Sequence, residues 1–455
     1  MPISHLLRGV VVILACLPQA AFAESLDRFF PSLVSQVQAN FRPVIVIQGG
    51  GSPGTFQLDA GQFVSGLFDA SGGVKSLSQE IESQFQRVPI GSTVNAFTFQ
   101  FDTNLNVFTQ TTEGLGPLTS ERAQTAGKGK LNVSFAYAYA DFSVFEGQDL
   151  DHLNVSFGKQ VPFVITGETN TQSAAFANGG QINFSANLAL GQKQALSFTG
   201  DGTGISGANG AISGVYPPGL TGGTVEVPAV QSNLDARVLA QSFALYFNYG
   251  ITDKIDAGVI IPILDIDLSG KVATQGLVDD TGAPLQTSTS RQHDSSVGLG
   301  DITARVKANL WESDYVDLGV RGDVILPTGD KQNFRGLGDP AFGVMGIASK
   351  NFSWLSPHIN AGFLVLTNDV HGDLFRMTAG TDIQPFKLLT LSADFVGDIK
   401  LDPDGIGNQV YSASGGIKFN PWRRLVLSAG ALVRLNHEGL RADVIPSGAI
   451  EYTFF

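Results

Sequence analysis

Arg305 and Lys307 stand two residues apart in this sequence, as do Arg321 and Asp323, while Asp394 and Asp398 stand four apart. Asp317, Arg424 and Arg434 lie in stretches of the same pattern. Residues spaced by an even number share one face of an extended strand. A row of such charges can do two kinds of chemistry. It can line a water-filled path and select what passes, or it can neutralise itself as an ion-pair network that fills an interior. Both signs occur in similar number, so the pattern leaves both readings open.

Other reactive residues form no constellation. His152, His293, His358, His371 and His437 are dispersed, with no His-x-x-x-His pair for a metal. Gly298-Leu299-Gly300-Asp301 is a fragment of a dinucleotide fingerprint, but it lacks the third glycine and precedes a strand. Asp402-Pro403-Asp404-Gly405 reads as a β-turn, since the distant bidentate Glu of a calcium loop is missing. The single cysteine is Cys16. No catalytic, cofactor-binding or metal site is expected, and the chain is read as a non-enzyme. The many Ser and Asp residues keep a barrel enzyme as the alternative. The net charge of −13 gives no footprint for nucleic acid.

The elements that must position the charged rows follow from a period of two. Ile302, Ala304, Val306, Ala308 and Leu310 alternate with Asp301, Thr303, Arg305, Lys307 and Asn309. The same alternation runs through 315–326, 389–395 and 424–434, and again through 131–139 and 239–249. Arg or Lys facing lipid at mid-depth costs about 2–4 kcal/mol, so the charged face should be the lumen. The segments run about ten residues, which suits a tilted bilayer crossing. Short turns near 249–254, 311–314, 351–356, 385–387 and 420–423 alternate with longer loops, as in outer-membrane barrels. No mature stretch approaches the roughly 18 apolar residues of a membrane helix.

The fold class is therefore all-β, a transmembrane antiparallel β-barrel of about 14 strands, range 12–16, with a small partly helical N-terminal segment. The expected strands are 94–102, 104–112, 130–141, 238–249, 253–264, 297–310, 315–326, 340–350, 356–366, 374–384, 388–399, 409–419, 424–434 and 443–454. Trp311, Trp354 and Trp422 fall in or beside short turns, where an interfacial aromatic belt would sit. Tyr452 and Phe454 add to that belt at the C-terminal strand, which the barrel insertion machinery would read.

Residues 1–23 read as a signal peptide: Arg8, an apolar stretch, then Ala21-Phe22-Ala23 for cleavage after Ala23. Residues 24–92 form a candidate periplasmic cap or plug. Within them Leu77, Ile81, Phe85 and Val88 have helical spacing, and 28–38 suggests another short helix. Residues 93–455 are the barrel, with a long extracellular loop at about 142–236. Inside that loop 181–190 and 194–199 are read as a hairpin, with two further barrel strands as the other option.

Several stretches in order resemble a family of outer-membrane transporters of the phenol-degradation MetA type, distantly similar to FadL-type channels. They are Pro89-Ile90-Gly91-Ser92, Leu115-Gly116-Pro117-Leu118, Glu121-Arg122-Ala123 and Gly127-Lys128-Gly129-Lys130-Leu131. Phe145-Glu146-Gly147-Gln148-Asp149-Leu150, Tyr249-Gly250-Ile251-Thr252-Asp253 and Gly298-Leu299-Gly300-Asp301-Ile302 follow. Leu326-Pro327-Thr328-Gly329-Asp330 and Ser356-Pro357-His358-Ile359-Asn360 complete the set. The resemblance implies a passive outer-membrane channel for small, hydrophobic or aromatic molecules. The alternative is a barrel enzyme or a structural barrel with a filled lumen. The expected partners are outer-membrane lipid, the insertion machinery and a small-molecule substrate, with no cofactor.

Overall fold

The computed structural model describes residues 25–30, 32–33, 115–157, 230–275, 287–367, 373–403, 407–422 and 424–454, and the backbone of short strands between 44 and 226. Alternating sequence becomes long antiparallel strands. These are β1 (Leu131–Phe145), β2 (Val230–Gly250), β3 (Ile255–Gln275), β4 (Ile302–Glu312), β5 (Asp317–Leu326) and β6 (Ala341–Ser349). They continue as β7 (Leu355–Leu366), β8 (Leu374–Phe386), β9 (Leu389–Lys400), β10 (Gln409–Trp422), β11 (Leu425–Arg434) and β12 (Val444–Phe454).

Each strand pairs with the next, and β12 pairs back onto β1 through Ser447↔Ala138 to Phe454↔Leu131. The ring of 12 is closed. Closure leaves no unpaired edge, the condition for a sheet to span lipid. The outward face is apolar and exposed, with Phe135, Val259, Val306, Val344, Ile359, Phe363 and Ile450 among its residues. The inward face carries Asn132, Asp256, Lys307, Asp317, His358, Asp382, Asp394 and Lys418, all buried. A polar inside and an oily outside are what a transmembrane barrel requires. No helix among the described residues is long and apolar enough to cross a membrane.

The two ends of the barrel differ. Turns 251–254, 313–316, 350–354 and 387–388, the turn residue Arg424, the start of β1 and the end of β12 share one end. All the longer connections lie at the other, and the longest joins β1 to β2. By the loop rule the short-turn end is periplasmic.

The count falls at the lower bound of the expected range for an identifiable reason. Phe99–Asp102 and Val107–Gln110 pair only with each other, in a two-stranded sheet apart from the ring. The described parts of the expected strands 94–102 and 104–112 are thus not barrel strands, although their alternation is that of barrel strands. The expected strand 297–310 is broken at Gly300 and Asp301. Thr287–Leu299 pairs with the upper part of β3, and β4 pairs with its lower part. At the break the Asp301 carboxylate accepts the Gly329 and Leu337 backbone N–H groups at 2.9 and 2.7 Å. In the β1–β2 connection, Ile182–Leu190 and Gln192–Gly200 form a hairpin outside the ring, in a sheet that also contains Val44–Gln48 and Gly54–Gln57. Residues 1–24, the helix expected at 77–88 and Phe455 lie outside the described residues.

Candidate functional site

Residues 115–126 run inside the barrel, across its short-turn half. Their partners are inward-facing groups on successive strands. Leu115 N donates to Thr390 Oγ1 at 3.0 Å. Thr119 and Ser120 donate to the two oxygens of Asp394 at 2.9 and 2.7 Å. Arg122 pairs with Asp382 at 2.7 Å. Ala123 N donates to Ser349 Oγ at 2.9 Å and Gln124 to Asp317 at 2.6 Å. Ala126 N reaches both oxygens of Asp256 at 3.0 Å. The segment therefore bridges from β9 to β3 across the lumen. Gly127 and Gly129, both at positive φ, then turn the chain into β1. Leu118 seats against glycine on β11: a Cβ on Gly430 would lie 2.8 Å from its Cδ1.

Glu121 lies at the centre of this segment. Its carboxylate takes Arg305 at 3.1 Å and Arg321 at 3.3 Å, with Lys307 at 3.8 Å. Arg305 and Arg321 also share Asp323, at 2.6 and 3.0 Å. Arg376 pairs with Asp398 at 2.6 Å. Buried charges persist only when paired in this way.

A second cluster holds the other side of the segment. His358 Nε2 lies 2.5 Å from Asp394 Oδ1, and its Nδ1 lies 3.2 Å from the Ser356 carbonyl oxygen and 3.9 Å from Asp382. The geometry is that of a clamp. Ser120 donates to the carboxylate rather than to the imidazole, so the nucleophile–base contact of a hydrolase triad is not formed among these residues.

Above the segment lies a chamber of about 230 Å³. Glu121 and Thr119 border its floor. Its lining mixes Arg305, Arg321 and Arg376 with Asp323 and apolar Ile260, Leu264, Ile325, Met345, Leu364 and Leu374. At the long-loop end an apolar cluster takes over part of the lumen. Leu26, Phe29, Phe30 and Leu33 are fully buried against inward residues of β1–β3 such as Ala140, Phe142, Val238 and Ile266. Leu26–Arg28 form a 3-10 turn, and Phe29, Phe30, Ser32 and Leu33 continue it helically. Leu26 N donates to Asn333 Oδ1 of the β5–β6 loop, and Ser32 to Gln292. This part of 24–92 is thus helical as expected but sits at the long-loop mouth, not the periplasmic one. Phe29 and Phe30 find their apolar partners there, whereas the inward face at the short-turn end is mainly polar among the described residues.

Of the candidate lumen residues, Arg305, Lys307, Asp317, Arg321, Asp323, Asp394 and Asp398 lie on the inward face and meet in the networks above. Arg434 is also inward, near the long-loop end, paired with Asp443. Arg424 is not in the lumen: it is an exposed residue of the β10–β11 turn. The ladder shifts between Phe419 and Trp422, so the strand starts only at Leu425. Its charge acts at the rim, where Lys130 is held below the usual ammonium range by partial burial and then by Arg424. Trp311, Trp354 and Trp422 are 58, 61 and 70% exposed at the short-turn end, and Tyr452 also points outward. Phe454 is half-buried. Glu121, Arg122, His358, Asp382 and Arg376 were not among the candidates from sequence. Glu121 and Arg122 lie in no alternating segment. His358, Asp382 and Arg376 do share a strand face with inward residues, which was the available signal.

Fold and lumen together define a transmembrane β-barrel of the outer-membrane type whose lumen is crossed by its own chain. Residues 218–438 match the family model for the MetA-pathway of phenol degradation, the family that the sequence motifs resemble. The plug segment 115–126 lies before that match. Among solved structures, the chain is similar to an outer membrane channel from Pseudomonas putida F1, at 9% identity and TM-score 0.38, over 73% of this chain and 98% of that one. It is also similar to a Pseudomonas aeruginosa FadL homologue, at 12% identity and TM-score 0.27, over 71% and 89%. A third is the Ralstonia pickettii toluene transporter, at 12% identity and TM-score 0.29, over 72% and 89%. No curated protein matches the sequence.

Proposed function

We propose that the protein is a passive outer-membrane channel for small molecules of partly apolar character, closed at rest by its own chain. The chamber between residues 115–126 and the Phe29–Phe30 pair carries this reading. A lumen needed only as a packed core would not keep a space of about 230 Å³ lined by both apolar and charged side chains. The match of residues 218–438 to a family described by phenol degradation supports an aromatic or hydrophobic solute. Residues 1–23 would be the export leader and β12 the strand read at insertion.

The test is flux through the refolded full chain in planar bilayers and swelling liposomes. Glu121→Ala should increase flux by loosening residues 115–126. Absence of conductance and solute entry in both proteins would overturn the channel reading. It would favour instead a structural barrel with a filled lumen, to which the hydrogen-bonded crossing segment also lends support. Amino-terminal sequencing of the mature protein checks cleavage after Ala23.

A further inference from the structure

Asn360 on β7 and Thr378 on β8 face each other across the ladder. Both point inward and line the chamber. They are 1 and 4% exposed. Asn360 Nδ2 donates to the Glu121 carbonyl at 3.2 Å, which fixes the orientation of the amide. Among the described residues, Asn360 Oδ1 and Thr378 Oγ1 have no hydrogen-bond partner. Two polar oxygens buried side by side without partners depart from the usual satisfaction of buried polar groups.

We infer that Asn360 and Thr378 form a subsite for the hydroxyl group of a small uncharged alcohol with an apolar body. The inference rests on the chamber being part of the solute path. Directly opposed Cβ atoms in an antiparallel pair lie about 4.5–5.5 Å apart, so the two side chains are close enough to serve one ligand group. The amide oxygen only accepts, and it requires a donor from the ligand. The threonine hydroxyl can donate in return. A hydroxyl group meets both demands with one atom. A ketone oxygen accepts but gives Asn360 nothing. A carboxylate brings a negative charge against the Asn360 oxygen. The guanidinium groups nearby do not reverse this, because Arg305 and Arg321 share Asp323 and Arg376 faces Asp398. Met345, Leu364 and Leu374 supply the apolar wall for the rest of the molecule.

The experiment compares three soluble probes of one shape: cyclohexanol, cyclohexanone and cyclohexanecarboxylate. Each is titrated against purified full-length protein in detergent and followed by ligand-observed NMR. Asn360→Leu with Thr378→Val, under identical conditions, subtracts partition into micelles. Wild-type protein should bind cyclohexanol about tenfold more tightly than cyclohexanone, with the carboxylate weakest. The double variant should level the first two. Thr378→Ser alone, which keeps the hydroxyl, should keep the preference, and heat-modified electrophoretic mobility checks that each barrel is folded. Equal affinities in wild type, tightest binding of the carboxylate, no saturable binding, or a preference that survives in the double variant would each overturn the subsite. Binding is read without flux. Loss of conductance with intact cyclohexanol preference would sink the channel and leave the subsite; the converse would do the reverse.

Discussion

The two ends of the lumen hold their segments by opposite physics. At the short-turn end, residues 115–126 are held by directional bonds: Asp394, Asp382, Ser349, Asp317 and Asp256 each take a particular donor. At the long-loop end, Leu26, Phe29, Phe30 and Leu33 are held by apolar area. The first kind of closure fixes register and fails sharply when one partner is lost, because a buried charge is then left unpaired. The second is non-directional and is lost in proportion to the area removed. A barrel whose two stoppers answer to different forces can release one without disturbing the other.

Glu121→Ala should break this contrast most severely. It strips the carboxylate shared by Arg305 and Arg321, and losing one partner of a buried ion pair typically costs about 3–5 kcal/mol. The expected result is a lower urea midpoint together with larger current. An unchanged midpoint and current would mean that the crossing segment is held elsewhere.

Phe29→Ala should cost about 3 kcal/mol of docking, the low end for a buried phenylalanine. The loss should be local. Limited proteolysis after Arg28 should become fast while the urea midpoint of the barrel stays put. If the midpoint falls as far as for Glu121→Ala, the two closures are one cooperative unit.

Asp394→Asn should cost about 1.5–3 kcal/mol, the range for hydrogen bonds to a charged group. Thr119, Ser120, Ser414 and His358 all converge on this carboxylate. Current should rise less than in Glu121→Ala, and His358 ring protons should shift in NMR spectra.

Salt should matter least. At about 1 M the Debye length is about 3 Å, yet buried pairs are screened far less than exposed ones. Exposed Arg237–Asp141 will weaken, but the Glu121 network should not. A current that climbs steeply with salt beyond bulk conductivity would show that the network is solvated.

Much of the barrel was legible in the chain. The period of two located all the ring strands, because lipid on one side and a polar lumen on the other impose alternation locally on each strand. The order of short and long connections fixed which end is which. The inward set followed from parity, as Arg305, Lys307, Arg321 and Asp323 show. Parity failed at Arg424, where a ladder shift ended the alternation early, and at Trp311, which the shift in β4 turns outward although it shares the parity of Lys307 and Asn309.

What the sequence determined by itself was the strands, their faces and the direction of the barrel, since each depends on neighbours within a few residues. Only the tertiary structure decided membership of the ring, the path of 115–126 and the seat of Phe29 and Phe30. The hairpin Phe99–Asp102 with Val107–Gln110 alternates like a barrel strand and yet stands apart. Leu115 meets Thr390 at a separation of 275 residues, and Leu26 meets Asn333 at 307. Such contacts exist only once the ring has closed and brought distant strands around one lumen, and no local pattern encodes them.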